Sequence, residues 1–82
     1  MLTHRQCKAA RALLDWTQSD LSEKSGVGLG TIKDFESERS GSINSRALTA
    51  IIRTFQKAGL VLYFDGDDGG PGVRVKEEQH HA

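Results

Sequence analysis

Thr17 to Glu36, reading TQSDLSEKSGVGLGTIKDFE, constrains this chain more than any other stretch of it. It has the pattern of two short amphipathic helices meeting at Gly26. Leu21, Val27, Ile32 and Phe35 are spaced so that all four enter one core, while the residues between them are small or polar and face outward. The corner needs a residue that tolerates positive φ, which glycine does without steric cost. Ser22, one helical turn earlier, is small enough to let the two helices approach closely. Taken alone, the pattern also fits an ordinary helical hairpin in some other small bundle. The flanking residues weigh on that choice.

Upstream, Thr3 can cap a first helix whose apolar residues Cys7, Ala10 and Leu14 recur at intervals of three and four. That helix should stop near Asp15 and Trp16, because Thr17 is a good N-cap and Asp20 falls at the third helical position, a short-chain form of the capping box. Trp16 is expected to plug the joint between the first two helices. A third helix runs from about Leu29 to Ser37, with Gly28 at its start. A fourth begins near Asn44 or Ser45 and ends at Gly59, and its Leu48, Ile51, Ile52 and Phe55 follow the i, i+3, i+4, i+7 pattern of a buried helix face.

Past Gly59 the period changes. Leu60 to Phe64 is a β-favouring run, Gly72-Val73-Arg74-Val75-Lys76 alternates apolar with basic, and Asp65 to Pro71 between them is a cluster of turn formers. This predicts a β-hairpin with a long loop. A lone two-stranded hairpin is marginal in water, and an open edge invites pairing with another chain. The leading expectation is a dimer through these strands, with Val61, Tyr63, Val73 and Val75 against the partner. The alternative folds the hairpin back on its own helices. The implied organisation is a helical domain over 1–59, a hairpin tail over 60–76 and a disordered tail over 77–82.

A chain of 82 residues has room for one core. A single cysteine, Cys7, excludes an intramolecular disulfide and is most simply a small buried hydrophobe. No cationic leader with an apolar stretch and no membrane-length apolar run is present, which leads us to expect a soluble cytoplasmic protein. The formal charge is zero but uneven: residues 1–59 hold nine Lys and Arg against six Asp and Glu, and residues 60–82 hold two against five. A basic helical part suits phosphate binding, and it requires Asp65, Asp67, Asp68, Glu77 and Glu78 to lie away from a polyanion. Enzymatic chemistry finds little support. His4, His80 and His81 lie at the chain ends, the adjacent His80 and His81 lack further metal ligands, and GVGLG lacks the preceding strand and full glycine spacing of a nucleotide loop. Neither a cofactor nor a metal is expected.

Gln18 opening the second helix, Leu21, Ser22 where Ala is usual, Gly26-Val27, Thr31-Ile32 and Phe35-Glu36 resemble the Cro and phage-repressor type of helix-turn-helix, the XRE family. The resemblance runs from about Thr3 to Ala58. QCKAARALLDWTQ and GDDGGPGVRV are also similar to small bacterial regulators of this family that carry a short β tail. The resemblance implies a mainly α, repressor-like bundle of four to five helices followed by a β-strand or β-hairpin. It further implies a homodimeric regulator, probing double-stranded DNA with its third helix in the major groove.

Residue by residue, the resemblance makes Gln18 a phosphate contact and places Gly28, Leu29, Gly30, Thr31, Lys33 and Asp34 at the groove. Arg39, Ser40 and Arg46 become the expected backbone contacts, although the loop SERSGSINS departs from the family's usual basic, Gly-containing sequence. Gly28 stands where the family more often has Ser. Related repressors often carry Gln, Arg or Asn at the positions of Leu29 and Gly30, side chains that bond adenine or guanine edges in pairs. Leu29 can touch only a thymine methyl and Gly30 reads nothing by itself, so the expected specificity combines few direct contacts with DNA shape. A pairing of Arg11 with Glu36 is also implied. The competing reading is an antitoxin-like or partner-binding protein whose tail pairs with another polypeptide, with DNA binding secondary.

Overall fold

The computed structural model describes residues 1–37, 43–66 and 69–76. Within them lie α1 (His4–Leu14), α2 (Gln18–Ser25), α3 (Leu29–Ser37) and α4 (Ser45–Lys57), followed by β1 (Leu60–Tyr63) and β2 (Gly72–Val75). The architecture is mainly helical, with a two-stranded antiparallel hairpin at its C-terminal end.

The helix ends follow from side-chain chemistry. Thr3 Oγ1 accepts from the Gln6 N–H at 3.0 Å, and the Gln6 side chain accepts from the Thr3 N–H at 3.1 Å. Thr17 and Asp20 form the same reciprocal box at 3.0 and 2.9 Å. Each box satisfies backbone donors that a helix start leaves unpaired. α1 ends where Asp15 turns left-handed at φ 62°, a conformation that Asp tolerates better than most residues. α2 ends at Gly26, φ 78°, whose N–H reaches Ser22 O at 2.9 Å. Asn44 caps α4 by accepting from the Ala47 N–H at 2.8 Å, and the helix stops at Lys57, two residues short of Gly59.

One core joins every element. Cys7 and Ala10 from α1, Leu21 from α2, Ile32 from α3 and Ile51 and Phe55 from α4 are fully buried, and Val27 and Leu48 nearly so. Phe35, Leu14 and Ile52 pack on this cluster from its edge. Trp16 does more than fill the α1–α2 joint. Its ring stacks on Phe55 of α4, centroids 6.0 Å apart, because the broad apolar face of α4 reaches past α2 to the turn.

The hairpin shares this core. Leu60 and Leu62 are buried within the same cluster as Leu21 and Phe55, and burying two leucines contributes about 1.5–3 kcal/mol each, which a free hairpin lacks. Gln6 adds a polar tether: it is 3% exposed, and its Nε2 donates to Tyr63 O at 2.6 Å and Gly72 O at 2.9 Å. The hairpin is therefore folded back on its own helices.

The register pairs Leu60 with Val75, Val61 with Arg74, Leu62 with Val73 and Tyr63 with Gly72. Directly opposed residues share a face. Val73 and Val75 thus share a parity with Leu60 and Leu62, Val73 packing on the core and Val75 staying exposed at the strand end, while Val61 and Tyr63 point the other way with Arg74. The three valines and one tyrosine expected at a partner are split between two faces and make no single surface. Alternation is strict in a strand, so a partner covering Val61 and Tyr63 from outside does not meet Val73.

Candidate nucleic-acid interface

α3 owes its orientation to two buried side chains one turn apart. Ile32 is fully buried and Glu36 is 2% exposed, so this stripe of the helix is locked inward with Phe35 beside it. The other side is open: Gly30, Thr31, Lys33, Asp34 and Ser37 are exposed, as is Gly28 just before the first turn. Leu29 departs from the expectation of a fully outward position. It is half-buried, because the first residue of α3 still overlaps the α2–α3 corner. That corner is closed by a bond absent from sequence reasoning, Ser22 Oγ donating to Val27 O at 2.6 Å, so Ser22 pins the turn as well as leaving room for it.

Glu36 is the anchor of the site. Arg11 grips it in a fork, Nε to Oε2 at 2.8 Å and Nη2 to Oε1 at 2.7 Å, while Arg11 Nη1 donates to Trp16 O at 3.0 Å. Gln18 Nε2 donates to the same Oε1 at 3.0 Å. Burial alone pushes a carboxyl up, but the bonds from Arg11, Cys7 and Gln18 and the guanidinium charge outweigh it and hold Glu36 below the ordinary carboxylate range. The Cys7 thiol, in contrast, is pushed far up, first by burial and then by its bond to Glu36 and the carboxylate charge. Cys7 and Arg11 stand one turn apart on α1, an i, i+4 spacing that could have revealed their common neighbour.

The network ties α1, the start of α2 and the last turn of α3 together through one carboxylate. Gln18, half-buried at the first turn of α2, is brought beside α3 in this way. Arg46 is exposed in the first turn of α4. Arg39 and Ser40 lie outside the described residues. The starts of α2, α3 and α4 thus carry Gln18, the Gly28–Asp34 segment and Arg46, each with an outward polar atom or backbone. Helix starts carry a partial positive charge, which suits phosphate oxygens. Among the described residues, no cluster of three or more His, Cys, Asp and Glu has the arrangement of a metal site.

A scan against family models matches residues 8–59 to the helix-turn-helix family, and the chain belongs to that family. Membership of this Cro and repressor type makes it a DNA-binding regulator by class. A search of curated proteins found no match to the chain. Among the described residues, no helix is long and apolar enough to cross a membrane.

Proposed function

We propose that the protein is a sequence-specific repressor that acts as a homodimer, each subunit placing α3 in the major groove of a palindromic operator. The observation that carries this is the division of α3 into an inner stripe fixed by Ile32 and Glu36 and an outer surface of Thr31, Lys33 and Asp34 that nothing in the described chain covers. Thr31 bonds a base edge or phosphate, Lys33 reaches guanine or phosphate, Asp34 accepts from cytosine N4, and the exposed part of Leu29 touches a thymine methyl. Gly28 and Gly30 let the backbone come close to the duplex. Gln18, Arg46, Arg39 and Ser40 contact phosphates and set the register without reading sequence.

Two-fold pairing through the outer hairpin face suits this reading. Val61 and Tyr63 share that face with Arg74, whose guanidinium carbon lies 5.7 Å from the Tyr63 ring centroid. Tyr63 is 44% exposed. A homodimer built there has to set its two α3 helices at half-sites about 34–36 Å apart.

Fluorescence anisotropy with duplex from the protein's own promoter, at two salt concentrations, tests the assignment. Thr31→Ala and Lys33→Ala are expected to weaken specific binding by about 1–3 kcal/mol each, whereas Arg46→Ala weakens all duplexes alike. Unchanged specific affinity in both α3 variants would show that the helix does not read bases.

A further inference from the structure

The turn between α1 and α2, the end of α2 and the second half of α4 line an open groove of about 590 Å³. Trp16, Lys24, Arg53 and Lys57 are among the residues that line it. That volume falls in the range that accepts several side chains of a ligand. None of its lining residues is acidic, and among the described residues Lys24, Arg53 and Lys57 enter no ion pair within 4.0 Å. Asp20, one turn before Lys24, is tied to the Thr17 N–H and feels the Lys24 charge only as a minor effect, without an ion pair within 4.0 Å.

We infer that this groove is a docking site for an acidic peptide segment of a protein partner, separate from the α3 surface. Arg53 and Lys57 are an i, i+4 pair of like charges, an arrangement that slightly destabilises a helix unless an anion lies between them. The pull of the α4 C-terminus accounts for Lys57 but fades before Arg53, a turn further in. Charge complementarity therefore selects carboxylates. Nucleic acid is disfavoured by the ring itself: Phe55 stacks near one side of Trp16, at 24° between planes, and the Lys24 ammonium sits 5.3 Å from its centroid. A base that stacked there would have to compete with both for the ring. The position also leaves the duplex undisturbed, since Arg53 and Lys57 lie about 10 and 16 Å along α4 from Arg46 at 1.5 Å per residue. The inference stands whether or not α3 reads DNA, because no groove residue belongs to α3.

Trp16 is the chain's one tryptophan, so the groove carries its own reporter. The full chain is titrated with a glutamate-rich octapeptide and with its glutamine counterpart while Trp16 emission is followed. The expected result is a saturable, salt-sensitive change with the acidic peptide only, at least tenfold weaker in Arg53→Gln/Lys57→Gln, with promoter binding unchanged in that variant. Equal affinity in the variant, or competition between the peptide and the duplex, overturns the assignment to this groove. Salt-sensitive self-association of the wild type that disappears in Glu77→Gln/Glu78→Gln assigns the groove to this chain's own acidic residues and overturns the partner. A response to inorganic phosphate as strong as that to the peptide overturns the peptide.

Discussion

Replacing Arg11 by Met should make the protein less stable at neutral pH and reverse the direction in which its stability responds to acid. In the wild type the Glu36 carboxylate, 2% exposed, is held by two bonds from Arg11 and one from Gln18. Without Arg11 the carboxylate keeps its burial but loses its charge partner, a change that costs about 3–5 kcal/mol in a well-buried pair. The stranded group has an escape, which is to take up a proton. At pH 7 that costs about 1.4 kcal/mol for each pH unit above an unfolded glutamate pKa near 4.3, or about 3.7 kcal/mol, so the loss should approach that value. Against a total of about 4–12 kcal/mol for a domain of this size, it removes a large share.

The pH slope separates this cause from lost packing. In the wild type the folded Glu36 pKa is lowered, so its contribution is present above the unfolded pKa and fades as pH falls through the folded value. In Arg11→Met the folded pKa rises above the unfolded one. The variant should then regain up to about 2.7 kcal/mol relative to wild type between pH 7 and pH 5. Urea melts followed by Trp16 emission at the two pH values measure both quantities. Arg11→Met/Glu36→Met, which removes the whole pair, should recover most of the loss at pH 7. A penalty under about 1 kcal/mol, or one independent of pH, would refute the picture of a desolvated carboxylate kept charged by its partner.

Other outcomes follow from single residues. Gly26→Ala should cost about 1–2 kcal/mol in a urea melt, since φ is 78° and a Cβ there meets no atom within 4 Å, leaving backbone strain as the whole effect. Gly28→Ser should stabilise by a few tenths of a kcal/mol, because it restores a side-chain cap at α3 where a Cβ is accommodated, its nearest neighbour being Thr31 Oγ1 at 3.9 Å. Cys7, fully buried with its thiol pushed up by burial and by Glu36, should react with a thiol reagent only as fast as the domain opens, so stabilising conditions slow the reaction in proportion. Tyr63→Asp should leave the melting temperature nearly unchanged but shift sedimentation from dimer to monomer; a monomeric wild type at micromolar concentration would remove the outer hairpin face as an interface.

The helical half was legible because its signals are local. Thr3, Thr17 and Asn44 cap by reaching three residues ahead, and the apolar spacing of Cys7, Ala10 and Leu14 or of Leu48, Ile51 and Phe55 names the buried stripe without knowledge of what covers it. The hairpin was legible as strands but not in its facing. Leu60, Val61, Leu62 and Tyr63 are apolar or aromatic at every position, so alternation carries no sign of which parity is inside. The answer depends on Gln6, a polar residue more than fifty positions away that binds two hairpin carbonyls through one nitrogen. Locally it is marked only as the capping partner of Thr3, and nothing in its neighbourhood marks it as a buried tether. The half-burial of Leu29 has the same origin, in the packing of the corner rather than in the pattern of α3. The groove over Trp16 is likewise assembled from three distant segments, and becomes visible only when Phe55 stacks on the ring.

The central claim is that the outer surface of α3 meets the duplex. Titrating the ¹⁵N-labelled protein with promoter duplex and following its amide resonances tests this most directly. The largest changes should fall on Gly28, Gly30, Thr31, Lys33 and Asp34, with Gln18 and Arg46 next and the hairpin little affected. Changes concentrated on Val61, Tyr63 and Arg74 while the amides of α3 stay still would contradict it.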